Sequence, residues 1–249
     1  MSTVEAHAPD RVDLPRRLAA EFIGTALLLA TVVGSGVMGV AMADGNDAIA
    51  LLANAGATAG VLYVLIVVLG PLSGAHFNPA VTLAFRLRGE LGTREAAAYV
   101  AVQVVAAILG VLLAHLMFEL PLLQPGLRVR TGGAQWVSEG VATFGLVLVI
   151  LLGVRFRPAA VPALVASWIF AAYWFTASTS FANPAVTVAR ALTQTFSGIR
   201  PENVFAFVMA QVAGALLGVV VGRWLLHKLM PTSPQRGISG DSFNADGNC

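Results

Sequence analysis

The sequence predicts an all-α transmembrane fold, with six spanning helices plus two half-helices in an inverted repeat. Three observations predict it. The chain is 57% hydrophobic and only 11% charged, where a soluble domain carries about 25% charged residues. Its apolar residues fall into long runs, each near the roughly 20 residues that a bilayer requires. The pentapeptide Asn-Pro-Ala-Val-Thr occurs twice, at residues 78–82 and 183–187, 105 residues apart.

Taken in order, the first apolar run covers residues 17–42. The segment before it, 1–15, is polar and lacks the basic-then-apolar order of a secretory signal, so the run reads as a retained helix. The second run covers 47–70 and is expected to stop at Pro71, which has no N–H to continue the ladder. Asn78 is then a strong N-cap, with Pro79 at the favoured first helical position. Arg86 and Arg88 return charge too soon for that helix to span. The third span covers 93–118, the fourth 135–154 and the fifth 159–176, with Pro158 and Pro162 near its start. A second half-helix begins from Asn183 and Pro184 and is cut short by Arg190 and Gly198. The sixth span covers 201–229, and residues 231–249, rich in Ser, Pro, Gly, Asn and Asp, read as a disordered tail.

The charges orient this series. With both termini in the cytoplasm, Arg11, Arg16, Arg17, Arg86, Arg88, Arg94, Arg155, Arg157, Arg223, Lys228 and Arg236 lie inside. Arg128, Arg130, Arg190 and Arg200 lie outside. Eleven against four follows the positive-inside rule.

The halves match beyond the pentapeptide. Glu21, Gly24 and Thr25 open the first span, and Glu139 and Thr143 open the fourth. Gln103 with Gly110 marks the third, and Gln211 with Gly214 and Gly218 marks the sixth. Each half has three spans, an odd number, so the second is inserted upside down. The result is a channel domain over 16–230 built of inverted repeats, about 16–118 and 135–229. Inverted repeats with interrupted segments point to a transport site at the membrane midplane.

Several function classes are excluded. The only cysteine is Cys249, which rules out a disulfide framework or a cysteine metal site. No nucleophile–base set, phosphate loop or zinc-type His-Glu motif supports catalysis, so no catalytic residue, cofactor or metal is assigned. The basic residues are dispersed, without the aromatic interleaving of a nucleic-acid surface. His115 and Glu119 have helical spacing but stand alone at a membrane edge. Gly214, Gly218 and Gly222 in the sixth span, and Gly56 and Gly60 in the second, are close-packing signals.

Two opposed half-helices bring about +0.5 charge each to the membrane centre, which opposes cations and hydronium. The Asn78 and Asn183 amides can donate there to one passing molecule. Glu21 and Glu139 are costly intramembrane carboxylates that must face the interior. Two readings stand: proton coupling, or acceptance of loop N–H groups that fixes each re-entrant segment. The symmetric recurrence favours the second. Gln103 and Gln211 read as interhelical hydrogen-bonding groups.

The run Ser73-Gly74-Ala75-His76-Phe77-Asn78-Pro79-Ala80-Val81-Thr82, with its partner at Asn183-Pro184-Ala185, resembles the major intrinsic proteins, the aquaporins and aquaglyceroporins. The likeness covers roughly residues 17–229, and the second box resembles a bacterial subset associated with arsenic resistance. It implies an aquaporin-like multi-pass channel in a bacterial plasma membrane, one pore per protomer, assembled as a homotetramer. It also implies that the backbone carbonyls of Gly74, Ala75, His76, Thr179, Ser180 and Phe181 form an acceptor ladder. His76 either turns its ring to the pore or packs the re-entrant loop.

The family normally carries an arginine directly after the second box, and here Val186 stands there. Arg190 lies one turn further on and is not counted in its place. Family spacing from the boxes then implies an outer filter of Thr58, Ala171, Ser180 and Val186. That set lacks the phenylalanine and histidine of water-only members and the aromatic pair of glycerol channels. A wider filter is expected, passing glycerol, urea, and arsenous and antimonous acid as well as water. A water-selective channel, an ion-coupled secondary transporter using Glu21 or Glu139, and a closed-pore adhesive protein are the alternatives.

Overall fold

A computed structural model describes residues 12–227. Among the described residues there are eight α-helices and no strand. These are α1 Leu14–Met42, α2 Asp47–Ser73, α3 Pro79–Leu87, α4 Thr93–Met117, α5 Gly133–Phe156, α6 Val161–Phe175, α7 Pro184–Arg190 and α8 Pro201–Leu226. Six are long and apolar enough to cross a membrane, α6 being counted with the 3₁₀ turn Pro158–Ala160 ahead of it. The tail expected beyond Pro231 lies outside the described residues.

Local chemistry sets the boundaries. Asp13 caps α1, accepting from the Arg16 amide at 3.1 Å, and Pro15 occupies the first turn, so this helix starts earlier than residue 17. Asn46 caps α2 through the amides of Ala48 and Ile49. The expected stop at Pro71 is corrected: α2 continues to Ser73 with Pro71 inside it. A proline in the last turn deletes one ladder bond, and the helix ends instead where Gly74 turns left-handed at φ 88°.

The packing is pseudo-symmetric. In the first half α1 packs on α2 and α4; in the second α5 packs on α6 and α8. The half-helices cross over, α3 lying against α8 and α7 against α4, while α2 meets α6 between the halves. Small residues permit the closest contacts. A Cβ on Gly110 would stand 2.3 Å from the Ala26 carbonyl oxygen, and one on Gly214 would stand 2.3 Å from that of Gly140. The expected role of Gly56 and Gly60 is corrected: both are exposed, with nothing within 4 Å of a built Cβ, because their face of α2 points out of the chain.

The distribution of polarity is inverted. Leu27, Val64, Val68, Leu116, Val137, Phe205 and Val220 are exposed, while Glu21, Thr25, Gln103, Glu139, Thr143, Thr187 and Gln211 are completely buried. An apolar exterior around a polar interior, in which Glu21 is bonded to Gln103 and Glu139 to Gln211, is the arrangement a bilayer selects.

Candidate functional site

The two half-helices meet tip to tip. Asn78 caps α3 with Oδ1, accepting from the Ala80 amide at 2.8 Å. Asn183 caps α7 in the same way, accepting from the amides of Ala185 and Val186. Each side-chain amide then reaches across the junction: Asn78 Nδ2 donates to the Ala182 carbonyl and Asn183 Nδ2 to the Phe77 carbonyl, both at 2.8 Å. An amide NH₂ has two hydrogens, so one on each asparagine remains after the cross-junction bond.

Glu21 and Glu139 hold the non-helical segments that lead into these tips. Glu21 accepts from the amides of His76 and Phe77, from Ser73 Oγ and from Gln103 Nε2, all within 2.9 Å. Glu139 accepts from the amides of Phe181 and Ala182 and from Gln211 Nε2. Gln103 and Gln211 also donate to Thr82 and Thr187, the last residues of the two pentapeptides. In a trans peptide the C=O points opposite to the following N–H. Four amides directed at the two carboxylates therefore direct the carbonyls of Ala75, His76, Ser180 and Phe181 the other way. Ala75, Phe77, Thr179, Ser180 and Ala182 all adopt left-handed φ values between 46° and 61° to do this. Strain of that kind persists only where the surroundings impose it.

On that other side runs a cavity with about 60 Å³ open to the centres of water-sized molecules. Asn78, Asn183, Ala75, His76, Ser180 and Phe181 line it, together with Thr58, Val81, Val186, Ile169, Tyr173 and Arg190. Pro79, Ala80, Pro184, Ala185, Gly74 and Thr179 are not in the lining, nor are Glu21 and Glu139. His76 is among the lining residues, and its ring packs the re-entrant segment: Nδ1 lies 3.1 Å from Thr82 Oγ1 and the ring stacks on Phe85.

One filter position is corrected. Ala171 is exposed on the outer face of α6. The inward face of that helix carries Val165, Ile169 and Tyr173, spaced by one turn, so residue 171 points away from them. Tyr173 reaches the cavity instead, its hydroxyl 3.4 Å from Thr58 Oγ1. An aromatic side chain thus stands where a methyl was expected.

Two arginines were missed as well. Arg190, at the end of α7, is 2% exposed and lines the cavity one turn beyond Val186. Its guanidinium carbon lies 3.4 Å from the Phe181 ring centroid, and Nε donates to the Ser197 carbonyl. Arg130 comes from the segment between α4 and α5. It donates from Nε to Gly198 O at 3.0 Å, and from Nη1 to Ser178 O at 2.9 Å and Thr179 Oγ1 at 3.3 Å. Burial, with Arg190 and Arg128 nearby, pushes the Arg130 guanidinium well below its ordinary range, though an arginine keeps its charge at neutral pH. His115 is a structural group held between the Leu122 carbonyl and Thr193 Oγ1, and no metal-binding cluster exists among the described residues.

Six spans enclosing a narrow cavity, with two helix tips joined at its middle, define a polytopic membrane channel. Residues 9–173 match the major intrinsic protein family, and the chain belongs to that family. It is 58% identical over 227 residues to the aquaglyceroporin AqpS of Rhizobium meliloti, covering 90% of this chain and 97% of that one. It is 30% identical over 244 residues to the probable aquaporin AqpM of Archaeoglobus fulgidus, covering 87% and 97%. The X-ray structure of the aquaglyceroporin from Plasmodium falciparum shares the fold, with a TM-score of 0.68 at 19% identity over 87% of this chain and 97% of that one. The protein is an integral multi-pass membrane channel for water and small solutes, and not an enzyme.

Proposed function

We propose that the chain is a passive channel whose outer filter, formed by Thr58, Tyr173, Ser180 and Val186, passes neutral solutes larger than water. Glycerol, urea, and arsenous and antimonous acid are the solute set. The observation that carries this is Val186. It follows the second box directly, lines the cavity and offers only methyl groups. An arginine there would add a long charged side chain to the lining of the cavity. The 58% identity to a protein named as an aquaglyceroporin supports glycerol in particular.

Ion exclusion falls to the central asparagines and half-helix tips, and the carbonyls of Ala75, His76, Ser180 and Phe181 supply acceptors for solute hydroxyls. Glu21 and Glu139 hold the re-entrant segments; with all four oxygens engaged by donors they are not coupling sites. The bacterial relative supports placement in a bacterial plasma membrane, and the arginine distribution supports both termini in the cytoplasm. Homotetramer assembly is supported by the outward apolar groove between α2 and α6, where Ala59, Gly60, Ala163, Ala166 and Ser167 are flanked by Tyr63 and Phe170.

The test is flux of water, glycerol and arsenous acid into proteoliposomes bearing wild type or Val186→Arg. Wild type should pass all three, and the variant should keep water while losing most glycerol and arsenous acid flux. A wild type that passes water alone would overturn the wide-filter reading.

A further inference from the structure

Ser73 and Ser178 stand at equivalent places, each five residues before the asparagine of its box. Each bends the chain in the same way: Ser73 Oγ accepts from the Ala75 amide at 3.0 Å, and Ser178 Oγ from the Ser180 amide at 3.2 Å. The carbonyl of each serine is also met by a buried side chain from elsewhere in the fold. In the first half Tyr99 Oη donates to Ser73 O at 2.9 Å, and itself accepts from Arg17 Nε at 2.9 Å. In the second half Arg130 Nη1 donates directly to Ser178 O at 2.9 Å, with no tyrosine between.

Arg130 holds more than its counterpart does. Nη1 also lies 3.3 Å from Thr179 Oγ1, and Nε donates to Gly198 O at 3.0 Å in the segment between α7 and α8. One planar group thus ties three stretches of chain: its own linker between α4 and α5, the re-entrant segment, and the α7–α8 segment. A guanidinium presents its donors in a fixed fork, and bonds from a charged donor are about twice as strong as neutral ones. The linker is itself fixed on both sides of Arg130. The Arg128 carbonyl accepts from the Arg200 amide at 2.9 Å, and the Arg130 amide donates to Asn203 Oδ1 at 3.0 Å. A Cβ on Gly126 would stand 2.0 Å from Ile199 O, so the linker lies directly on the α7–α8 segment. What Arg130 holds is strained: Thr179 and Ser180 keep left-handed φ values of 61° and 49°, which persist only where the surroundings impose them. Ser180 follows the clasped Thr179 and lines the cavity, while Arg130 is not in that lining.

We propose that Arg130 is a positioning residue for the outer filter: by clasping Ser178 and Thr179 it holds Ser180 in the cavity wall and so sets the largest neutral solute that passes. It acts through the backbone of the re-entrant segment, and the linker between the two halves of the chain thereby takes part in selectivity. Tyr99 and Arg17 make the corresponding clasp ahead of Asn78, on a segment that carries none of Thr58, Tyr173, Ser180 and Val186. Loss of that clasp loosens the protein without moving the filter. The proposal rests on the channel reading above and names a residue that fixes its solute limit.

Water, glycerol and xylitol entry are measured by stopped-flow swelling of proteoliposomes bearing the full chain, together with thermal unfolding, and fluxes are compared as ratios within one preparation. A ratio does not depend on how much protein is folded, so a loss of stability alone cannot move it. Arg130→Gln should raise the xylitol-to-glycerol ratio several-fold over wild type, because the shorter amide cannot bridge the acceptors that the guanidinium ties together. Arg130→Lys keeps the charge without the planar fork, so it should raise the ratio less, and it serves if the Gln variant fails to fold. Tyr99→Phe deletes the clasp in the first half and should lower the melting temperature with the ratio unchanged. An unchanged or lowered ratio in Arg130→Gln, or in Arg130→Lys where that stands in for it, would overturn the proposal. So would an equal rise in Tyr99→Phe. A wild type that passes water alone would overturn the wide-filter reading instead; the proposal then requires glycerol entry to appear in Arg130→Gln, and its absence would overturn the proposal too.

Discussion

Asn183 donates from Nδ2 to the Phe77 carbonyl at 2.8 Å, and Asn78 returns the bond to Ala182 at the same distance. Each asparagine thereby caps its own half-helix and anchors the opposite one. Asn183→Asp keeps the capping oxygen but replaces the donor with a second acceptor facing Phe77 O. The expected cost is about 1–3 kcal/mol of stability from the unpaired carbonyl. The new negative charge at the helix tips should also admit cations. Vesicles carrying a pH-sensitive dye should show a proton leak in the variant that wild type lacks. A proton-tight Asp variant would remove the asparagine from the exclusion mechanism.

Glu139→Gln separates a structural carboxylate from a coupling one. In wild type both oxygens accept, from Phe181, Ala182 and Gln211. A glutamine sets an NH₂ against one of those donors, and a buried donor left unsatisfied costs about 1–3 kcal/mol. Thermal unfolding should fall accordingly, and solute flux should fall only in proportion to folded protein. Wild-type flux should be indifferent to a protonophore. A stable variant that equilibrates solute but no longer accumulates it would point to coupling.

Much of this was legible because it is written in local chemistry. The two Asn-Pro pairs name their helix starts, and Glu21 and Glu139 are conspicuous in apolar sequence. Tyr173 was not legible, because spacing from the second box counts residues, and counting does not know which way α6 is rotated about its axis. Ala171 and Tyr173 differ by two positions, about 200° on a helix, so a small error in register exchanges lipid face for cavity. Arg190 and Arg130 read only as charges on the outer side, because their burial depends on Phe181, Ser197 and Gly198, which only the fold assembles around them. Gly56 and Gly60 show the converse: the spacing is that of a packing motif, but nothing in the same chain packs on it.

Tyr173→Ala should widen the filter. The side chain lines the cavity and its hydroxyl lies near Thr58, so truncation removes an aromatic from the narrow region. Permeability to a polyol larger than glycerol, such as xylitol, should rise several-fold over wild type in stopped-flow swelling. Tyr173→Phe should change glycerol flux far less, since it keeps the volume and loses one long contact. Ala171→Leu should leave both solutes unaffected, because that position faces outward. A filter response from residue 171 and none from 173 would reverse the assignment.

Two glycines test where the helices find their partners. A Cβ on Gly214 would stand 2.3 Å from the Gly140 carbonyl oxygen, so Gly214→Val must force α8 from α5. Overpacking of a tight contact costs about 1–3 kcal/mol, and more where backbone is struck, so the variant should melt well below wild type in detergent. Gly60 has nothing within 4 Å in its own chain and borders the α2–α6 groove. Gly60→Leu should therefore leave the protomer's unfolding intact. If a second copy seats in that groove, the added side chain should shift the purified protein from tetramer toward monomer in native mass spectrometry. An unchanged tetramer in Gly60→Leu would move the subunit contact to another face, and a destabilised protomer would mean that α2 has an internal partner there after all.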